Sequence, residues 1–295
     1  MCPLFDTRDE ANLLAGMRQA RQAIARGELV VVPTDTVYGL AADAFSPTAV
    51  QRLLDAKGRG RQSPPPVLVA GVTTLRALVA EVPEPVERLV EEFWPGGLTI
   101  VLPAMPSLSW DLGETRGTVA VRMPAHHIAL ELLEETGPLA VSSANLTGKS
   151  PGVTAAEAEV MLGEFVSIYL EAGPTETGIS STIIDATGLM PGGSGTVRVL
   201  REGAIDREAL GRVLGDLLEP EEGADADEPA ATEGDADAEA DEHSHEGDGA
   251  GADATTEDAP DAAPADAGDR ATTPTEEGSA TDDASAQSPS PSAGA

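Results

Sequence analysis

The stretch Val30-Val31-Val32-Pro33-Thr34-Asp35-Thr36-Val37-Tyr38-Gly39-Leu40 decides how the rest of this chain is read. Its apolar start, with Leu29 ahead of it, is β-branched and reads as a buried strand. Pro33 cannot donate to a β-ladder and closes that strand. Thr34, Asp35, Thr36 and Tyr38 then bring four side chains able to hydrogen-bond, and Gly39 lets the backbone turn or approach a ligand. Polar groups at the carboxyl end of a buried strand sit where α/β proteins usually place a ligand. Taken alone, the stretch is better read as a well-capped turn. The rest of the chain shifts that balance.

Strand and helix signals interleave on both sides of it. Residues 11–26 carry Leu13, Leu14, Met17, Ala20 and Ile24 at helical spacing, with Gly27 as a stop. Ser46 before Pro47 is an N-cap followed by proline at the first helical position, opening a helix to Ala56. Helices are also expected over 73–80, 85–93, 127–136 and 155–162, with a last one capped by Asp206 and ending near Leu218. Short apolar runs at 66–70, 98–102, 118–122, 139–141, 165–170, 181–185 and 196–200 read as strands. The alternation predicts an α/β fold with a parallel or mixed sheet.

Composition divides the 295 residues near Leu218. Residues 1–218 carry net −10 and all eight aromatic side chains; residues 219–295 carry net −23 and one cation, Arg270. The second segment is too poor in apolar side chains to offset its ordering entropy, and is expected to be a disordered acidic tail. A single domain over 1–218 is expected to do the work. Cys2 is the one cysteine, which excludes an internal disulfide or a multi-cysteine zinc site. With no apolar run of spanning length and no secretory pattern at the N-terminus, a soluble cytoplasmic protein without membrane association is expected.

Several polar residues stand where chemistry is usually placed. Lys57, Arg59 and Arg61 share five residues with two glycines directly after a helix, the composition of an anion site or of a solvated basic loop. Ser142-Ser143-Ala144-Asn145 follows a short strand and repeats the pattern of the opening stretch; it is equally a self-bonded turn. Arg122 and Arg201 each end an apolar strand, and with Lys57 and Arg59 they point to one shared polyanion. His126 and His127 have no acid or cysteine at ligand spacing, and His243 and His245 lie in the acidic segment. No metal site is expected, and no Walker-A, G-x-G-x-x-G or G-x-S-x-G motif occurs.

Taken in order, PTDTVYGL (33–40), K-x-R (Lys57, Arg59), WPGGLTIVL (94–102), TVAVRMP (118–124), SSANLTG (142–148), STIID (181–185) and VLREGAI (199–205) resemble the YrdC/Sua5/TsaC family, the L-threonylcarbamoyladenylate synthases. The resemblance implies a YrdC-like domain whose twisted mixed sheet bounds a cationic cavity. It implies an enzyme, a nucleotidyltransferase that takes ATP, bicarbonate and L-threonine to threonylcarbamoyl-adenylate and pyrophosphate, with Mg²⁺ on the phosphates. A downstream tRNA threonylcarbamoyl transferase machinery would then modify the adenosine next to the anticodon.

Residue by residue, the resemblance makes Lys57 and Arg59 the catalytic phosphate ligands. It adds Ser63, Thr118, Ser143, Asn145, Ser150 and Arg201 at ATP, and Thr36, Arg122 and Ser181 at threonine. Ser63 stands where the family has Asn, Leu68 where some members have His, and Glu202 where Pro is usual. Two alternatives stand beside this reading. One is a non-enzymatic RNA-binding protein, with tRNA or double-stranded RNA in the basic concavity; the net −10 of the folded part argues against it. The other is a carbamoyl-adenylate-forming carbamoyltransferase module, which the single cysteine disfavours.

Overall fold

The computed structural model describes residues 2–220. The expected acidic tail, 219–295, lies outside the described residues apart from Glu219 and Pro220. Ten strands are found in order: β1 (Leu4–Asp6), β2 (Val30–Val32), β3 (Gly39–Asp43), β4 (Val67–Leu68), β5 (Leu98–Pro103), β6 (Thr118–Arg122), β7 (Leu139–Ser143), β8 (Ile168–Glu171), β9 (Thr182–Asp185) and β10 (Arg198–Arg201). Seven α-helices join them: α1 (Glu10–Ala25), α2 (Pro47–Lys57), α3 (Val72–Leu78), α4 (Glu84–Phe93), α5 (His127–Thr136), α6 (Ala155–Leu162) and α7 (Arg207–Leu214).

All ten strands form one sheet in the order β1-β8-β2-β3-β7-β4-β6-β5-β9-β10. Pairing is parallel between β1 and β8, β8 and β2, β4 and β6, and β5 and β9, and antiparallel elsewhere. The expected mixed sheet is therefore present. Two strands were not foreseen. One is β1; the other is β3, which begins at Gly39 and pairs with β2 and β7. Gly39 thus serves packing rather than a turn, because a Cβ there would lie 2.6 Å from Val141 Cγ1 on the adjacent strand.

Strand periodicity sorts the core into layers. Val30, Val32, Ile168 and Leu170 pack with Met17, Ala20 and Ile24 of α1 and Ile128, Leu132 and Leu133 of α5. Their alternates Val31 and Tyr169 pack on the other side with Leu53 of α2 and Ala155, Ala158 and Leu162 of α6. Further along the sheet, Leu98, Ile100, Leu102, Val119, Val121 and Ile184 meet α3, α4 and α7 through Leu75, Leu78, Val86, Leu89, Leu210 and Leu214. Residues between these in sequence (Thr99, Val101, Thr118, Ala120, Arg122, Ile183) are left on the opposite face, where they line a cavity.

Helix caps follow sequence chemistry. Ser46 Oγ accepts from Ala49 N (3.3 Å) with Pro47 at the first turn, and Asp206 Oδ1 accepts from Ala209 N (2.7 Å). Gly58 closes α2 in a left-handed conformation (φ 61°), which releases the chain into the basic loop. Among the described residues no helix is long and apolar enough to cross a membrane.

Candidate active site

The cavity encloses about 520 Å³ and is lined entirely by strands and loops, with no helical residue in its wall. That volume suits a substrate of nucleotide size. Its walls come from the ends of strands that are far apart in sequence, so the sheet brings together motifs separated by up to about 165 residues (Thr36 and Arg201).

One end is built on the opening stretch. Arg122, at the end of β6, is 6% exposed; its Nη2 donates to Asp35 Oδ1 (2.7 Å), its Nη1 to Thr36 Oγ1 (2.8 Å) and its Nε to Gly96 O (2.8 Å). Burial lowers the guanidinium pKa, and the Asp35 carboxylate opposes that effect. Asp35 also accepts from Ala125 N (2.8 Å), so the loop after β2 is pinned to the end of β6. Thr34 Oγ1 donates to Val37 O (2.6 Å) and lies 3.1 Å from Thr36 Oγ1. Ser181, also buried, places Oγ 2.9 Å from Thr99 Oγ1 and accepts from Arg201 Nη2 (3.1 Å). Of the polar groups that looked like a capped turn, Thr34, Thr36 and Tyr38 thus line the cavity, while Asp35 stands outside its wall and holds Arg122.

The other end lies between the basic loop and the Ser142–Asn145 segment. Arg59, Ser142, Ser143 and Thr118 line the cavity here, and Arg201 stands between the two ends, its guanidinium on Ser181 and close to Arg59. Arg201 donates from Nε (3.1 Å) and Nη2 (2.7 Å) to Ser181 O, and desolvation with the nearby Arg59 lowers its pKa. Thr118 Oγ1 donates to Thr115 O (2.8 Å).

Lys57, expected at the ATP phosphates, has a setting unlike that of Arg59. It is 1% exposed and does not line the cavity. Its Nζ donates to Ser143 O, to Asn145 O (2.6 Å) and to Asn145 Oδ1 (3.2 Å). Burial, with a smaller push from Arg59, brings its pKa down to about 8. Asn145 in turn donates from Nδ2 to Leu146 O (2.9 Å) and Lys149 O (2.5 Å). Lys57 and Asn145 therefore form a buried clamp behind Ser143, which is the member of the trio that faces the cavity. Ser63 and Ser150 are not in the wall either; Ser150 is exposed, and Ser63 sits between the lining residues Gln62 and Pro64.

Of the expected site residues, Thr36, Arg59, Thr118, Arg122, Ser143, Ser181 and Arg201 share one cavity, while Lys57, Ser63, Asn145 and Ser150 stand outside its wall. Leu68 lines it, with Pro64, Pro65 and Pro66. Sequence reasoning missed Glu114 and Arg116, which line the wall from the loop before β6. The available signal was a charged Glu114-Thr115-Arg116-Gly117 turn directly preceding a strand whose end was already suspect.

The chain matches the family model Sua5/YciO/YrdC, described as "Telomere recombination", over residues 22–203. A Mycobacterium tuberculosis (strain H37Rv) relative, provisionally named threonylcarbamoyl-AMP synthase, is 49% identical over 215 residues, covering 73% of this chain and 96% of its own length. The Pyrococcus abyssi threonylcarbamoyl-AMP synthase is 41% identical over 204 residues, 68% of this chain and 58% of its own. Among solved structures, P. abyssi Sua5 complexed with L-threonine superposes with a TM-score of 0.66 at 35% identity, covering 75% of this chain and 63% of that one. Motif order, sheet and cavity agree with these matches, and the chain belongs to the Sua5/YciO/YrdC family.

Proposed function

We infer that the protein is a threonylcarbamoyl-AMP synthase, using L-threonine and ATP as substrates. The observation that carries this reading is one cavity with two chemically distinct ends. Arg122, Thr36 and Ser181 stand at one, and Arg59 with the Ser143 loop stands at the other. The relatives' names and the threonine complex of the P. abyssi protein support the same substrates.

At the first end a threonine carboxylate would take the N–H groups of Arg122 that Asp35, Thr36 and Gly96 leave over, with Ser181 beside it. Asp35 fixes the plane of the guanidinium, so the fork is set before substrate arrives. At the second end Arg59 neutralises phosphate, Ser143 and Thr118 offer hydroxyls, and Lys57 holds the Ser143–Asn145 backbone in place. In this scheme the threonine amine nitrogen bonds the bicarbonate carbon while a C–O bond breaks and water leaves with the amine proton, giving an N-carboxylate. Its oxygen forms a bond to the α-phosphorus, and the bond to the bridging oxygen breaks, releasing pyrophosphate with its electron pair. The protein contributes orientation and fixed positive charge rather than a covalent intermediate.

Among the described residues no group of three His, Cys, Asp or Glu is placed to hold a metal ion, and Glu114 is the one carboxylate in the cavity wall. In this scheme Mg²⁺ enters as the Mg–ATP substrate, carried on the phosphates. Transfer of the threonylcarbamoyl group to tRNA belongs to a separate transferase.

The test is incubation with ATP, bicarbonate and each amino acid in turn, following pyrophosphate. Release that requires L-threonine supports the synthase. RNA binding without release would support a binding protein instead, and carbamoyl-phosphate-dependent release without threonine a carbamoyltransferase module.

A further inference from the structure

We propose that Arg116, which no recognised motif marks, binds the polyphosphate of ATP together with Arg59; the proposal rests on the synthase reading of this cavity. ATP carries about four negative charges near neutral pH, and two of the four cations in the cavity wall, Arg122 and Arg201, already hold protein partners. Arg122 is held by Asp35, Thr36 and Gly96. Arg201 donates to Ser181 from Nε and Nη2, which leaves its Nη1 over. Lys57 is buried against Ser143 and Asn145. Arg59 and Arg116 line the cavity with no ion-pair or side-chain hydrogen-bond partner among the described residues.

The two arginines stand on loops that are joined to each other. Glu114 N donates to Arg61 O (2.8 Å), and Arg61 Nη2 bonds Asp111 Oδ1 (2.5 Å). Gly113 lies so close that a Cβ there would be 2.6 Å from Arg61 O. The loop of Arg116 is thus seated on the loop of Arg59, and both open on one cavity.

Arg116 is also, among the described residues, the one non-glycine with a positive φ, at 53°. A bulky side chain in the left-handed region is unfavourable and persists where its surroundings over-determine it. Here they do. Thr118 donates to Thr115 O from both N (3.0 Å) and Oγ1 (2.8 Å), and Gly117 O accepts from Ala104 N (2.9 Å). A glycine would hold this turn more easily, so the arginine stands here against local backbone preference. A guanidinium aimed at a phosphate gives it a reason to be there, because its fork matches phosphate oxygens and meets the charge that gathers on departing pyrophosphate.

Calorimetry on the full chain with ATP, pyrophosphate, AMP and L-threonine tests this in wild type, Arg116→Gly and Arg116→Lys. Glycine relieves φ, so loss of fold does not confound the result. Arg116→Gly should weaken ATP and pyrophosphate about tenfold or more, the scale of one charge-assisted hydrogen bond. AMP and L-threonine should bind as in wild type, and Arg116→Lys should recover part of the ATP affinity. Unchanged ATP and pyrophosphate affinity in Arg116→Gly overturns the proposal, as does equal weakening of AMP. A wild type that binds ATP but releases no pyrophosphate with threonine and bicarbonate sinks the synthase reading and leaves the ATP-against-AMP comparison to decide Arg116. A wild type that binds neither ATP nor pyrophosphate overturns both.

Discussion

The Arg122 guanidinium and the Asp35 carboxylate form a 2.7 Å ion pair with side-chain exposures of 7% and 17%, tying the loop after β2 to the end of β6. Removing one partner of such a pair leaves a charge unpaired in a poorly solvated site, at a cost of about 3–5 kcal/mol. Asp35→Asn should therefore lower the free energy of unfolding in urea by an amount near the low end of that range, since Asp35 keeps some solvent. It should also raise the KM for L-threonine more than the KM for ATP. Arg122→Lys should show the same substrate bias, because an ammonium cannot reproduce a fork held in one plane. Equal effects on both substrates would move Arg122 to the nucleotide end.

Arg59 and Lys57 differ in geometry and should differ in phenotype. Arg59→Ala should lower kcat/KM for ATP by about 2–4 kcal/mol of transition-state stabilisation and leave the melting temperature unchanged. Lys57→Ala should also impair ATP use, but by a different route, freeing the Ser143 and Asn145 carbonyls and loosening the segment between them. Amide hydrogen exchange separates the two. Faster exchange at 142–149 is expected in Lys57→Ala and absent from Arg59→Ala. Identical exchange in both variants would return Lys57 to the role of a direct phosphate ligand.

Lys57 also predicts a pH signature. Burial brings its pKa down from the ordinary 10.5 to about 8. Between those values the unfolded chain binds a proton that the folded chain has released, so stability rises with pH. The lysine's contribution is thus a penalty, present in full below about pH 8 and relieved as pH climbs towards 10.5. The stability of wild type relative to Lys57→Met should increase across that window. A flat difference would mean the clamp oxygens hold the proton on. Activity should move the other way: a neutral amine has fewer donors for the clamp, so pyrophosphate release should decline above about pH 8.

Much of this was legible from residue order. The caps of α2 and α7 and the limits of α6 follow from Ser46-Pro47, Asp206 and a short helical run between Thr154 and Gly163. The two arginines at strand ends were suspect from their apolar neighbours alone, and both reach the cavity. Other features were hidden for physical reasons. β3 begins in a segment of small residues (Gly39, Ala41, Ala42) whose strand character comes from pairing with β2 and β7 rather than from propensity. The clamp was hidden because a lysine between helix and glycine looks solvated, whereas its partners Ser143 and Asn145 lie 86 and 88 residues away in sequence. Arg116 was hidden because its φ is set by a turn that no side-chain pattern announces.

The last prediction concerns Glu171, a buried carboxylate behind the cavity wall. Its Oε1 accepts from Gly173 N (2.6 Å) and the Tyr38 hydroxyl (3.1 Å), and its Oε2 from Ala155 N (2.9 Å) and Ala156 N (3.3 Å). Three of these partners are backbone amides, and the fourth is a hydroxyl whose one proton is shared with Gly173 O; two of the amides belong to the first turn of α6, where negative charge is favoured. Tyr38, which lines the cavity, also donates to Gly173 O (2.7 Å) and accepts from Ala172 N (3.0 Å), so the carboxylate fixes the far side of the opening stretch. Glu171→Gln keeps the volume but replaces one acceptor with an NH₂ that faces donors whichever way the amide is turned. One or two buried amides would lose their partner, which costs about 1–3 kcal/mol each. The variant should unfold at lower urea concentration by that amount, with faster hydrogen exchange at 155–156 and 172–173. Its KM for ATP should rise only slightly, since Glu171 itself stands outside the cavity wall and Tyr38 keeps its bonds to Gly173 O and Ala172 N. Wild-type stability in Glu171→Gln would mean that the four bonds are replaceable by water, and that the opening stretch is held by Arg122 and Asp35 alone.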